Sequence, residues 1–336
     1  MTSAKRQAIS VLGAGSWGTA LAIQFARTGR HTLLWGRNAK ALSDMAEKRC
    51  NRRYLPEAPY PDSLIIEASL EKALREARDV LVVVPSHGFR SLLLEVAPLL
   101  RPGTRLAWAT KGFELDSGKL PHQVAEEVLG SEVATAVLSG PTFAKEVGAG
   151  LPTAMTVAAH DHAFARELAT SLSGENFRAY TSDDIVGVEV GAAVKNVLAI
   201  GAGISDGLGF GANTRIALIT RGAAEMTRLG IALGSRSETF MGLAGIGDLV
   251  LTCTDDLSRN RRMGLKLAAG KSVAAAQEEI GQVVEGVPAA RAVRQVAQKL
   301  GVEMPIAEQV YRVLYEDEPA EKAVYTLMTR QLRSEI

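Results

Sequence analysis

Short apolar runs, many of them β-branched, recur through the first half of the chain at Ala8–Leu12, Thr32–Trp35, Val80–Val84, Leu106–Ala109, Thr135–Leu138 and Ala154–Ala158. Between several of them lie stretches with helical spacing of apolar positions: Thr19–Arg27, Ser69–Ala77 and His87–Leu100. Strands without internal alternation suit a mostly parallel sheet covered on both faces. After about residue 182 strand-like runs largely disappear, and Ala/Leu/Glu/Arg patterns at Asp184–Gly201, Asn213–Leu229, Arg262–Ala269, Ala289–Leu300 and Ile306–Tyr315 predict helices. Asp317–Pro319 reads as a turn, with Pro319 opening a last short helix. The expected fold class is α/β, with a Rossmann-like dinucleotide-binding domain over 1–182 and an all-helical domain over 183–336. A single larger α/β domain with extra helices is the alternative.

The first strand runs into Gly13, Gly15 and Gly18 in G-x-G-x-x-G spacing, with a helical pattern directly after. In that arrangement the first glycine makes the tight turn, the second admits a pyrophosphate, and the third lets helix and strand pack closely. The phosphates then meet free N–H groups at the helix start. A purely structural βα turn is the competing reading. The second strand ends LLWGRNAK, with Arg37 where a ribose-binding carboxylate would select NAD. An arginine there pairs with a 2′-phosphate, so NADP is accepted beside NAD, unless Arg37 is only a solvated cation.

The loops after the strands, PSHGF, TKGFE and SGPTFAKE, are expected to converge on one crevice. Lys111, at a strand end, either faces it or is a surface charge. In the helical pattern EVGAAVKNVLAIGAG, Lys195 has no acidic residue three or four places away, and its neighbours are small and apolar. Close packing would desolvate its ammonium partly and suit it to proton transfer. The other reading is a lysine that snorkels to solvent from a packed stem. Asn196 beside it needs a partner if buried. Asp248, in MGLAGIGDLVLTC, either orients a lysine or caps the helix that follows. In TDDLSRNRRMG, Ser258 is placed to cap a helix, and with Arg259, Asn260, Arg261 and Arg262 it makes a coherent phosphate site. A solvated basic turn neutralised by Asp255 and Asp256 is the alternative.

Composition narrows the classes. The 336 residues are 47% apolar and 22% charged, with a formal net charge of +1. Two domains fit that length, and a polyanion such as nucleic acid is not expected as partner. Only two cysteines, Cys50 and Cys253, are present, so a reducing compartment is the default. The start MTSAKRQA enters a strand without room for a signal peptide, and the apolar stretches are broken by charge and glycine. No membrane span, no metal site and a cytoplasmic location are expected.

The segments GAGSWGTALA, TKGFE, LSGPTFAKEV, VGAAVKNVLAIGAG, GLAGIGDLVLTCT and SRNRRMG occur in one order over essentially the whole chain. With them the sequence resembles the bacterial NAD(P)-dependent glycerol-3-phosphate dehydrogenases. The resemblance implies reversible reduction of dihydroxyacetone phosphate to sn-glycerol 3-phosphate, supplying glycerophospholipid synthesis. It assigns general acid/base work to Lys195, and substrate contacts to Lys111, Gly140, Thr142, Lys195, Asp248, Ser258, Arg259 and Asn260. Cofactor contacts fall to Gly13, Gly15, Ser16, Trp17, Gly18, Arg37, Tyr54, Lys111, Ala144, Arg259, Val283 and Glu285. Thr142 stands where many relatives carry serine, which keeps the hydroxyl. A homodimer is common among similar enzymes. Two rival readings are another hydroxyacid or ketoacid dehydrogenase of the same plan, with no need of a phosphate site, and a nucleotide-sensing protein that has lost its chemistry.

Overall fold

The computed structural model describes residues 7–331. Of the segment read as MTSAKRQA, the first six residues lie outside them. The chain divides into two compact units, one of residues 1–111 with 120–189 and one of residues 112–119 with 190–336.

The first unit is built on an eight-stranded sheet: β1 (Ile9–Leu12), β2 (Thr32–Trp35), β3 (Leu64–Ile66), β4 (Asp79–Val82), β5 (Arg105–Trp108), β6 (Thr135–Ser139), β7 (Thr153–Ala158) and β8 (Phe177–Ser182). Their order is β3-β2-β1-β4-β5-β6-β7-β8. The first six run parallel, which brings their carboxyl ends to one edge, and chain order reverses between β1 and β4. Helices α1 (Ser16–Arg27), α2 (Ala39–Lys48), α3 (Leu70–Glu76), α4 (Phe89–Val96), α5 (Pro121–Leu129), α6 (Ala144–Ala149) and α7 (His162–Leu172) connect the strands. The four residues of each of β1, β2, β4 and β5 are all buried, as continuous apolar strands between helical layers should be.

The mostly parallel sheet is as expected, and three features go beyond the sequence reading. Strand β7 pairs antiparallel to β6, a direction that an apolar run does not encode. Strands β3 and β8 escape the apolar pattern because one has only three residues and the other, FRAYTS, is largely solvent-facing. The single helical stretch read over His87–Leu100 is three pieces, with 3-10 turns at Ser86–Gly88 and Ala97–Leu99 flanking α4. Pro98 has no N–H to extend α4.

Beneath the sheet's amino edge, the Asp79 carboxylate is held by Arg30 and by Arg105, whose Nε and Nη2 donate at 2.7 and 3.0 Å. Burial alone would raise the Asp79 pKa, but the two guanidiniums outweigh it and hold the carboxyl below the usual range.

Helix α8 (Ile185–Gly207) begins in the first unit and runs on as the core of the second. It is long and apolar enough to cross a bilayer, yet 94% of its apolar window is buried within the protein, as a core helix is. Around it lie α9 (Ala212–Ala232), α10 (Asp248–Thr254), α11 (Arg259–Ala268), α12 (Val273–Ile280), α13 (Gly286–Leu300), α14 (Pro305–Tyr315) and α15 (Ala320–Met328). Glycines set the closest crossings: a Cβ on Gly203 would stand 2.0 Å from the Arg261 carbonyl oxygen, and one on Gly264 2.1 Å from that of Ile200. Helices α8 and α11 therefore touch backbone to backbone.

Glu225 of α9 is buried, and its carboxylate accepts the Ile306 and Ala307 amides at 2.7 and 3.2 Å, capping α14. Burial raises its pKa to about 7. Because the folded value lies above the ordinary carboxylate range, the protonated form is favoured by folding. That contribution is complete below about pH 4.5, the unperturbed value, and is lost as pH rises through about 7. Thermal melts between pH 5 and 8 are expected to show falling stability, on the order of 3 kcal/mol across the window. Glu225→Gln should flatten this trend, and an unchanged slope in that variant would refute the assignment.

Candidate active site

In the first unit the candidate residues gather at the carboxyl edge of the parallel strands. Gly13 follows β1, Arg37 lies just beyond β2, Lys111 is three residues past β5, and Gly140 follows β6. The glycine turn occupies the point where strand order reverses, the position at which open α/β sheets bind ligands. Gly13 has φ +131°, and a Cβ there would come within 2.1 Å of the Val83 carbonyl oxygen. A Cβ on Gly18 would sit 1.8 Å from the Gly13 carbonyl oxygen, so α1 can lie on the turn only with glycine at that position. Gly15 differs, because a Cβ there meets nothing within 4 Å. Open space faces the one glycine whose expected task is to let a ligand approach.

Helix α1 starts at Ser16 without a side-chain cap and without an acidic residue in its first turn. The indole Nε1 of Trp17 is buried and has no partner among the described residues. An uncapped helix start, an unmatched N–H donor and an open glycine form a donor set that fits an anionic pyrophosphate. Asn51 braces this turn, its Nδ2 donating to the Ala14 carbonyl at 3.2 Å and to Thr19 Oγ1 at 2.9 Å. Nothing in the NRRYLP pattern distinguishes it, so sequence reading passes over it. Tyr54, three residues on, is half-buried with the Arg53 guanidinium 5.2 Å from its ring centroid. Arg37 is exposed. Thr142 Oγ1 donates to the Gly140 carbonyl at 3.2 Å, and Ala144 opens α6.

The second unit holds the other candidates. Lys195, midway along α8, is 6% exposed, so it does not snorkel. Its Nζ donates to Asp248 Oδ1 and, at 3.1 Å, to Thr252 Oγ1. Asp248 and Thr252 stand one turn apart on α10, and both are buried. Asp248 is thus the partner that Lys195 lacks on its own helix, and it also begins α10. Thr252 was not foreseen, although its i+4 spacing from Asp248 puts it on the same face. The small residues around Lys195 have a direct cause: a Cβ on Gly191 would come 2.3 Å from the Ala244 carbonyl oxygen, in the turn that leads into α10.

Ser258 caps α11, accepting the Arg261 amide at 3.2 Å. Asn260 donates to Asn196 Oδ1 at 2.9 Å and accepts the Gly286 amide at 2.8 Å. Asn196 therefore has the partner its burial requires, and α8, α11 and the start of α13 are locked through two side-chain amides. Arg259 stands half-buried in the first turn of α11. Arg261 is spent otherwise, bound to Asp256 and, at 2.8 Å, to Asp206. The basic run thus divides into a structural cation and a separate group, Ser258, Arg259 and Asn260, at a helix start. Val283 is exposed, and Glu285 directly precedes α13. Among the described residues no group of three or more His, Cys, Asp or Glu side chains could hold a metal ion.

Comparison with known proteins bears on both units. Residues 8–165 match the family model for the NAD-dependent glycerol-3-phosphate dehydrogenase N-terminus, and residues 184–325 match that for its C-terminus. A glycerol-3-phosphate dehydrogenase [NAD(P)+] of Klebsiella pneumoniae is 55% identical over 334 residues, covering 99% of this chain and 98% of the relative. One from Aeromonas hydrophila is 56% identical over 329 residues, with 98% of each chain covered. The crystal structure of the glycerol-3-phosphate dehydrogenase from Coxiella burnetii superposes with a TM-score of 0.94 at 46% identity, over 97% of this chain and 99% of that one. With its glycine turn and its buried lysine each set in a matched half, the chain belongs to the NAD-dependent glycerol-3-phosphate dehydrogenase family.

Proposed function

We infer that the protein catalyses the reversible NAD(P)-dependent reduction of dihydroxyacetone phosphate to sn-glycerol 3-phosphate, a precursor of glycerophospholipids. One observation carries the reading: a buried lysine, held by a carboxylate, lies in a chain that matches NAD(P)-dependent glycerol-3-phosphate dehydrogenases over nearly its full length.

When bound, NAD(P)H supplies the hydride that reduces the ketone carbon. Gly15, Ser16, Trp17 and Gly18 would receive its pyrophosphate on the open turn and the α1 amides, with Arg37 toward the ribose and Tyr54 and Ala144 beside it. Val283 and Glu285 are proposed as further cofactor contacts. As the carbonyl carbon becomes tetrahedral its oxygen gains negative charge. The Lys195 ammonium stabilises that oxygen more in the transition state than in the ground state, and delivers a proton to it to give the hydroxyl. In the reverse direction the Lys195 amine takes the hydroxyl proton back. Asp248 and Thr252 hold Nζ at a defined place, so little reorganisation is needed when charge develops.

Ser258, Arg259 and Asn260 are the proposed phosphate group. The Ser258 oxygen already accepts an amide, which leaves its hydroxyl proton to donate. Arg259 adds charge, and the α11 amides add donors. Lys111, Gly140 and Thr142 are proposed as further substrate contacts. Phosphate held away from the reacting carbon orients the ketone, and that binding energy is returned as rate.

Two free thiols, Cys50 and Cys253, agree with a reducing cytoplasm, and α8, apolar enough to span a membrane, is a core helix. A homodimer joined through the helical unit would cover Ile216 and Ile231 of α9 and Tyr325 and Met328 of α15, all exposed in the single chain. Sedimentation velocity is expected to show a species of twice the chain mass, and a sharp monomer would refute it.

NADPH or NADH oxidation with dihydroxyacetone phosphate tests the function itself. Strong turnover is expected, with at least ~100-fold lower kcat/KM for unphosphorylated dihydroxyacetone. Arg259→Gln should raise KM for the phosphorylated ketone about 10-fold or more, a larger effect than on the unphosphorylated one. Equal use of both ketones would move a carboxylate-specific dehydrogenase ahead. No ketone-dependent oxidation would favour a binding protein.

A further inference from the structure

Glu189 belongs to α8 and lies six residues before Lys195, yet the chemistry above makes no use of it. Its side chain is 1% exposed and carries a full set of bonds. Oε1 accepts from the Trp108 indole Nε1 at 2.8 Å and from the His122 backbone amide at 3.0 Å. Oε2 meets His122 Nδ1 at 2.5 Å. These partners come from different elements. Trp108 is the last residue of β5, three before Lys111, with Phe89 packed edge-on at 5.7 Å. His122 is the second residue of α5, where an amide has no carbonyl within its own helix. A single carboxylate therefore ties the start of α8 to a strand end and to a helix start.

A buried carboxylate is costly unless its bonds are worth keeping. An apolar residue would fill the place at less cost if only packing were needed. Between residues 189 and 195, α8 rises about 9 Å as a continuous helix. Both residues belong to that one helix, so what holds its first turns bears on the turn that carries Lys195.

We propose that Glu189 is a positioning residue for the reaction: by gripping Trp108 and His122 it fixes the first turns of α8 and so the direction in which that helix presents Lys195. The inference rests on the assignment of Lys195 as the proton donor. It also brings a dependence on pH. His122 faces Glu189 on α8 and Glu126 one turn further along α5. Burial would lower the histidine pKa, but the bond to Glu189 and its charge outweigh that and raise it above the ordinary value. Loss of the His122 proton leaves Glu189 with a weaker grip, so the rate should fall on the alkaline side as His122 titrates.

The test is steady-state turnover of dihydroxyacetone phosphate with NADPH from pH 6 to 9.5, with folding checked by circular dichroism. Glu189→Leu removes all three bonds and is expected to lower kcat about 10-fold or more, with KM for NADPH unchanged. Glu189→Gln keeps an acceptor for the indole and the amide. It should restore most of kcat while erasing the alkaline fall assigned to His122. A folded Glu189→Leu with kcat within twofold of wild type, or a Glu189→Gln that keeps the alkaline fall, would overturn the proposal. Should Glu189→Leu not fold, Trp108→Phe and His122→Gln each remove one anchoring bond. Each should cost about threefold in kcat, more when combined, and an unchanged kcat in the double variant would overturn it equally. A wild-type protein inactive on the ketone would instead contradict the functional reading; the anchoring is then tested by tryptophan fluorescence over the same pH range, where a titration lost in Glu189→Gln supports it and one retained in that variant overturns it.

Discussion

A lysine ammonium in the middle of an apolar core helix has to be paired, and most of the helical unit follows from how that is done. Desolvating one charge without a partner costs several kcal/mol. The Asp248 carboxylate meets that cost, but only if α10 comes close to α8. The approach requires a backbone without a side chain at Gly191, and a turn through Ala244 that delivers Asp248 at the start of α10. Thr252 then fills the next position on the same face. Glycine again sets the distance where α11 crosses α8, at Gly203 and Gly264. The same crossing brings Asn260 against Asn196 and leaves Ser258 and Arg259 at a helix start.

The first unit solves a different problem with similar means. A negatively charged dinucleotide needs N–H groups that are not already bonded, and those occur where a helix begins. The β1 turn exposes them by packing Gly18 against the Gly13 carbonyl and leaving space at Gly15. Asn51 holds the turn from the side. Below the sheet, Asp79 between Arg30 and Arg105 ties β4 and β5 at the opposite edge. Charge is thus satisfied internally at one end of the strands and left available at the other.

Much of this is legible in the sequence, because its signals are local. Continuous apolar strands, glycine spacing and a lysine with no acidic helical neighbour are all read within a dozen residues. What escapes is set by distance in the chain. Nothing local says that β7 runs against β6, or that FRAYTS pairs as an outer strand despite its polar face. Asp248 carries two readings in sequence, capping a helix or orienting a lysine, and the fold uses it for the second: Gly247 stands at the cap position of α10, with no side-chain capping bond, while the Asp248 carboxylate holds Lys195. Arg261 looks like part of an anion site until Asp206, 55 residues earlier, is seen to claim it. Asn51 and Glu189 act through partners that no spacing rule connects to them, and Thr252 shares a helix face with Asp248 but meets Lys195 only in the fold.

The most direct test of the account is chemical rescue of Lys195→Ala. With NADPH and dihydroxyacetone phosphate, a folded variant should lose about 100- to 10,000-fold in kcat, the usual worth of a positioned acid, with KM for the cofactor unchanged. Added methylamine or ethylamine should restore part of the rate, saturably and in proportion to the protonated amine. A folded Lys195→Ala that keeps its rate within tenfold, or a lost rate that no amine restores while the cofactor still binds, would contradict the claim that this buried lysine supplies the proton.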